Sequence, residues 1–152
     1  MDKADAHTIT AADPVEAAAR TCGQLNLAYG RLDAQHAQLR EEFGRKLEDE
    51  MRALIHRMDC LKENASWVSA STEIGALFQL AIISEAMDDV ATCALGSTDQ
   101  KAAKARAIRC LHSVRRLLEP KAGATLAMIG LGDSLPARLD ELATVERHAA
   151  AG

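Results

Sequence analysis

The chain has 152 residues, which suits a single domain, and 48% of them are hydrophobic while only 3% are aromatic. The hydrophobic content comes largely from alanine and leucine, and there are only three prolines, so the composition favours closely packed helices over a sheet. The formal net charge of -4 provides no overall positive field to attract nucleic acid or an anionic membrane surface. We therefore expect an all-α fold.

The first twelve residues are small and polar without periodicity, so we expect a disordered tail over 1–12. They lack the apolar core of a signal peptide, and the longest apolar run, 74–83, is too short to span a bilayer. We therefore expect a cytoplasmic protein with no membrane partner. A single α-helical domain is predicted over 13–148, followed by a frayed tail over 149–152.

The first helix is predicted to begin at Asp13-Pro14, where the aspartate is suited to the N-cap and the proline to the first helical position. Glu16 lies in the first turn, where the helix dipole favours a negative charge. Two alternatives stay open at Gly30: the chain turns there, or it continues into the next helix.

Residues 31–64 carry the strongest pattern, with no proline, one glycine and apolar residues at helical spacing. The pattern predicts one helix about 50 Å long at the usual rise of 1.5 Å per residue. Such a helix exceeds an ordinary globular core and therefore indicates a helical bundle or coiled-coil seam shared with a second chain. The predicted oligomer or partner interface consists of Leu39, Phe43, Leu47, Met51, Leu54, Met58 and Leu61.

The next predicted helix is apolar nearly all round through its first three turns, from Ile74 onward, and Ser69, Ser71 and Thr72 offer possible caps before it. Such a helix needs cover on several sides, so we expect it to form the centre of the fold or half of a dimer interface. Gly75 and Ala76 would allow another backbone to approach closely.

A glycine, Gly96, is predicted to end this helix, and Ser97-Thr98-Asp99 to cap a following helix that Glu119-Pro120 ends. A short apolar stretch over 126–131 suggests a brief helix docked on the core. Pro136 is predicted to open the last helix.

The helix after Gly96 is rich in lysine and arginine. From Gly96 onward there are 9 basic and 6 acidic residues, against 9 basic and 16 acidic up to Leu95. One interpretation is that this helix pairs with acidic residues of the preceding one, namely Glu85, Asp88 and Asp89. The other is a small nucleic-acid-associated regulator that uses the basic helix 101–116. Its candidate anion contacts are Arg106, Arg109, Arg115 and Arg116.

The acidic whole chain and the scarcity of aromatic residues disfavour nucleic acid as a partner. His56 and Cys60 lie four residues apart, and a metal or small-ligand bundle around them and Glu85 is a weaker hypothesis. The paired Glu-x-x-His signature of di-iron bundles is absent from the sequence, so we expect no metal and no cofactor. The four cysteines form no C-x-x-C pair and are predicted to be reduced, buried thiols.

The sequence also lacks a G-x-S-x-G elbow and a phosphate-binding G-x-x-x-x-G-K-[ST] loop, so we expect no catalytic activity. The main hypothesis is a cytoplasmic protein–protein interaction or assembly module. Its expected partner is a second copy of the chain, as a homodimer or higher oligomer, with another protein as the alternative partner.

Overall fold

A computed structural model describes residues 13–37, 41–91, 96–125, 128, 135 and 139–151, apart from the side chains of 41–43, 91 and 97. This part of the chain contains five α-helices and no strand, so the predicted all-α fold is confirmed for it. The helices are α1 (Pro14–His36), α2 (Glu41–Ser66), α3 (Glu73–Ala91), α4 (Ser97–Ala122) and α5 (Glu141–Ala151).

The start of α1 is joined to the start of α3 by one carboxylate. Asp13 Oδ1 accepts a hydrogen bond from the backbone N–H of Val15 at 2.8 Å, which confirms the predicted N-cap. The other oxygen, Oδ2, accepts bonds from the backbone N–H groups of Ser71 at 3.0 Å and Thr72 at 2.9 Å, and from the Thr72 hydroxyl at 2.9 Å. Thr72 Oγ1 in turn accepts a bond from Gly75 N–H at 3.1 Å and caps α3.

Gly75 lies where these two helix starts meet. A Cβ at this position would be 2.7 Å from Asp13 Oδ2 and 3.3 Å from Val15 Cβ, so only glycine fits without a shift. The sequence predicted the approach of another backbone at Gly75; the atoms that approach it are side-chain atoms of Asp13, Val15 and Ala70 in the same chain.

The single long helix predicted over 31–64 is wrong. The first helix passes Gly30 and ends at His36, where the N–H of Ala37 bonds to Asp33 O at 3.1 Å, and α2 begins at Glu41. The 26 residues of α2 span about 39 Å at 1.5 Å per residue. The two helices run antiparallel: the Cys22 thiol reaches the carbonyl oxygen of Met58 at 3.8 Å near the middle of the pair.

A second antiparallel pair is formed by α3 and α4, whose far ends are joined by an ion pair between Glu73 and Lys121. The two pairs pack on each other through α1 against α3 and α2 against α4. The buried apolar cluster between them draws on all four helices and on the α2–α3 connection. It consists of Val15, Ala65, Ala70, Ala76, Ile82, Ile83, Cys110 and Val114.

Three predicted helix ends are corrected. The N-cap residue of α4 is Gly96, without a side-chain cap, and the helix continues through Pro120 to Ala122. Gly123 ends it in the left-handed conformation with φ of 63°, which favours glycine. The last helix, α5, begins at Glu141 and extends to Ala151, where a frayed tail was predicted. The predictions for 1–12, for Pro136 and, apart from Met128, for the stretch 126–131 lie outside the described residues.

Candidate functional site

A cluster of buried polar side chains lies where the end of α2, the first half of α3, the middle of α4 and the start of α5 meet. Because burial of unpaired polar groups is costly, such a cluster needs a structural or functional explanation. We refer to it as the polar cluster; it consists of Ser66, Gln79, Arg109, His112, Ser113 and Asp140.

The centre of the polar cluster is Arg109, which is only 4% exposed. Its guanidinium donates to Glu63 Oε1 at 2.8 Å, to Glu141 Oε2 at 3.1 Å and to the Ser66 hydroxyl at 2.9 Å. The guanidinium carbon also lies 3.7 Å from the ring centroid of Trp67, a cation–π contact. One α4 side chain therefore holds the end of α2 and the start of α5.

A second arginine, Arg116, attaches α5 to the same side of α4. It donates to Asp140 Oδ2 at 2.7 Å and to Glu146 Oε1 at 2.6 Å. Asp140 also accepts a bond from Ala143 N–H at 3.2 Å in the first turn of α5. Burial raises the pKa of Asp140, but these hydrogen bonds and the nearby positive charge outweigh it and hold the pKa below its usual value.

Two further members of the cluster fix the α2–α3 connection. The side-chain amide of Gln79 donates to the carbonyl oxygens of Ala65 at 3.0 Å and Val68 at 2.8 Å. The Ser113 hydroxyl accepts a hydrogen bond from the backbone N–H of Ala70 at 2.7 Å. The chain between α2 and α3 is therefore held by side chains of both α3 and α4.

His112 is fully buried, and neither of its ring nitrogens makes a hydrogen bond to any residue that the structure describes. Its Nδ1 lies 3.5 Å from Asp140 Oδ2, within ion-pair range but too far for a good hydrogen bond. Burial lowers the pKa of His112, and the charges of Arg115 and Arg116 lower it further against the opposing effect of Asp140. These effects favour the neutral form of the His112 side chain.

We expect His112→Leu to leave the free energy of unfolding at pH 7.5 unchanged or slightly raised, because an unbonded polar ring is replaced by an apolar group. The pKa of His112 in the folded state lies below the usual 6.5, so the unfolded chain takes up the proton first and the free energy of unfolding falls as the pH drops below 6.5. Urea unfolding at a series of pH values should give a shallower acid-side loss in the variant.

The matched control for this experiment is His56→Gln, since His56 is exposed on α2. It should leave the pH profile of unfolding as in the wild type. An acid-side slope in His112→Leu equal to that of the wild type would contradict the role of His112.

The basic helix pairs within the chain, as predicted, and the ion-pair partners that the described residues show for three of its arginines lie on α2 and α5 and at Asp140. Arg106 and Arg109 bind Glu63 of α2, and Arg116 binds Asp140 and Glu146. Arg115 reaches the carbonyl oxygen of Leu135 at 3.4 Å. Glu85, a predicted partner, instead binds Lys62 at 2.6 Å. The four arginines proposed as anion contacts thus use their guanidinium groups within the chain, which does not favour a nucleic-acid interface.

His56 and Cys60 are brought together as their spacing predicts, with Nε2 and Sγ 3.8 Å apart. Within the described residues, however, no group of three or more histidine, cysteine, aspartate or glutamate side chains is arranged to hold a metal. Cys60 is exposed, which corrects its predicted burial, whereas Cys22 and Cys110 are buried free thiols. Burial raises the pKa of the Cys110 thiol to about 12, so this sulfur is a poor nucleophile.

The predicted interface stripe of α2 is half-buried rather than open. Leu47, Met51, Leu54, Met58 and Leu61 are all of intermediate exposure on the helix that packs against α1. Leu39 and the side chain of Phe43 lie outside the description. The neighbouring helix of the same chain therefore supplies part of the cover for which a second chain was predicted.

A more open apolar surface lies on the other pair of helices. On α3, Leu77 and Met87 are each 65% exposed, and on α4, Leu118 is 52% exposed. At one end of this surface is a groove of about 460 Å³, with an apolar floor and two lysines at its side. We call this surface the α3–α4 face; it comprises Leu77, Leu80, Met87, Val90, Leu111 and Leu118.

The sequence indicated the α3 part of this face, because a helix that is apolar all round needs cover outside the core. Nothing in the sequence singled out Leu111 and Leu118, since their exposure depends on how α4 is rotated against α3. Among the described helices, none combines the length and the apolar character needed to cross a bilayer.

Comparisons with protein-family models, with curated proteins and with solved structures find no match to this chain.

Proposed function

We propose that this chain is a cytoplasmic protein–protein interaction or assembly module that associates with itself and has no catalytic activity. The observation that carries the proposal is the α3–α4 face, where large apolar side chains of two adjacent helices are exposed together. Contiguous apolar patches of several hundred Å² on a folded domain are typical of interaction sites.

The arrangement of α3 supports a surface that is covered in the assembled protein. Ala76, Ile82 and Ile83 of this helix are buried in the core, while Leu77, Leu80 and Met87 are exposed. Burying a leucine or methionine side chain is worth about 1.5–3 kcal/mol. Binding of a partner that buries these side chains would therefore be favoured by about this free energy for each of them.

The polar cluster favours a structural role over catalysis. A general base must come within hydrogen-bond reach of the substrate, yet His112 has no exposed surface. The hydroxyls of Ser66 and Ser113 are used to hold Arg109 and the backbone of Ala70. These groups stabilise the positions of α5 and the α2–α3 connection.

Sedimentation equilibrium of the full chain tests the proposal. We expect reversible self-association in the micromolar range, with far-ultraviolet circular dichroism that reports a helical fold throughout. A folded monomer at high micromolar concentration would overturn self-association.

A further inference from the structure

We infer that a second copy of the chain covers the α3–α4 face by packing the same face against it in antiparallel orientation about a two-fold axis near Ser84 and Leu111. This inference rests on the proposed function and specifies its interface and geometry. In such an arrangement α3 lies across α3 of the partner and α4 across α4, so that two helix pairs form one four-helix layer.

The shape of the face is complementary to itself in this orientation. Its two protruding leucines, Leu77 and Leu118, lie together at one end because α3 and α4 run antiparallel. The groove lies at the opposite end, and small residues, Ala86 and Ala107, contribute to its floor. A two-fold axis across the middle of the face places the leucines of each copy over the groove of the other.

The charges favour the same orientation. Lys101 and Lys104 lie at the groove end, and the exposed Glu73 lies at the leucine end. Parallel packing would set the lysines of one copy against the same lysines of the other, which is unfavourable. Antiparallel packing instead sets them opposite the partner's Glu73–Lys121 ion pair, which carries no net charge.

The area is sufficient for a specific dimer. The 19 residues of α3 span about 28 Å, and two helices packed about 10 Å apart give a face about 20 Å wide. Each copy would then bury about 550 Å², or about 1,100 Å² for the dimer, which is near the lower limit of about 1,000 Å² for a biological interface. We therefore expect a reversible association rather than an obligate dimer.

The first test uses two leucines of equal exposure on different faces. Leu77 is 65% exposed on α3 and Leu27 is 66% exposed on α1, so a glutamate at either position is solvated in the monomer and should not unfold it. We expect Leu77→Glu to raise the dissociation constant of the dimer at least about 100-fold, because each dimer contains the change twice. Leu27→Glu should leave the constant unchanged.

The second test determines the orientation by cross-linking in a chain that carries Cys60→Ser and Cys93→Ser, where the remaining Cys22 and Cys110 are buried. Ser84→Cys lies near the proposed axis and should be joined to its counterpart by a short bis-maleimide. Leu77→Cys lies seven residues away, about 10 Å from the axis, and its counterpart is about 20 Å away on the other side. It should not cross-link.

Each outcome decides the inference. The inference is supported if Leu77→Glu abolishes the dimer while Leu27→Glu does not, and if Ser84→Cys cross-links while Leu77→Cys does not. A dimer that survives Leu77→Glu, or that is lost instead in Ile55→Glu on the exposed side of α2, overturns the interface while the proposed function stands. Equal cross-linking at 77 and 84 overturns the orientation. A wild-type chain that is monomeric overturns both proposals.

Discussion

Replacement of Arg109 by alanine should lower the free energy of unfolding by about 3 kcal/mol. Arg109 is 4% exposed, and its guanidinium joins Glu63, Ser66 and Glu141 and lies over the ring of Trp67. Urea unfolding followed by circular dichroism measures the loss. The fluorescence of Trp67, the only tryptophan, should also change in the folded variant because the ring loses its cation.

The ion pairs themselves are not the main part of this effect. Glu63 and Glu141 have side chains that are 41% and 52% exposed, so water screens both pairs and can solvate the carboxylates after the arginine is removed. The larger losses are the buried hydrogen bonds to Ser66 and the packing of the arginine stem. Arg109→Met, which retains the stem, should therefore be less destabilising than Arg109→Ala.

A matched control is Arg57→Ala, because Arg57 is an exposed cation outside both the polar cluster and the α3–α4 face. It should change the free energy of unfolding by no more than about 0.5 kcal/mol. If Arg109→Ala were as mild as this control, the polar cluster would not be the joint between α2, α4 and α5.

The second large effect is expected for Asp13→Ala, which should cost about 2–4 kcal/mol of unfolding free energy. The change removes an N-cap, worth about 1 kcal/mol, and three hydrogen bonds to Ser71 and Thr72, and bonds to a charged group are worth about 1.5–3 kcal/mol each before compensation by water. Asp33→Ala, at an exposed acid on the same helix, is the control and should be nearly neutral.

Asp13→Asn separates the two roles of this residue. Its amide oxygen can still cap α1, but its NH₂ group would face the N–H donors of Ser71 and Thr72, so the connection to α3 should be lost. We expect the free energy of unfolding of Asp13→Asn to lie between that of the wild type and that of Asp13→Ala. A variant as stable as the wild type would show that the connection to α3 contributes nothing.

The effect of Asp13 should depend on pH. Burial raises the pKa of this carboxyl, but its hydrogen bonds from Ser71, Val15 and Thr72 together hold it below the usual 3.8. The stabilisation is therefore complete above pH 3.8 and is lost as the pH falls below that value. The difference between the wild type and Asp13→Ala should shrink accordingly in acid.

Local signals in the sequence predicted the starts of two helices, α1 and α3, but not how far the helices extend. Asp13-Pro14 and Thr72 were identifiable because capping uses residues only two or three positions away. The break after His36 was missed because the apolar spacing continues across it without proline or glycine. Two separate helices form because α1 packs on α2, as in the contact between Cys22 and Met58. The periodicity of apolar residues along the sequence does not predict such a long-range contact.

The polar cluster shows the same limit. The sequence predicted that the arginines of α4 pair within the chain, because acidic and basic residues are separated along it. It could not name Glu63 and Asp140 as partners, since these lie 46 and 24 residues from Arg109 and Arg116. His112 and Gln79 carried no signal at all, because their burial follows from the rotation of α4 and α3 about their axes.

The contacts that attach α5 to α4 determine where local unfolding of the chain begins. Leu142 is the buried apolar residue of this helix, and Glu141 and Glu146 form ion pairs with arginines of α4. Added salt weakens such pairs far more than it weakens an apolar core. The amide protons of α5 should therefore exchange with solvent through a local, salt-promoted detachment that leaves the two helix pairs intact.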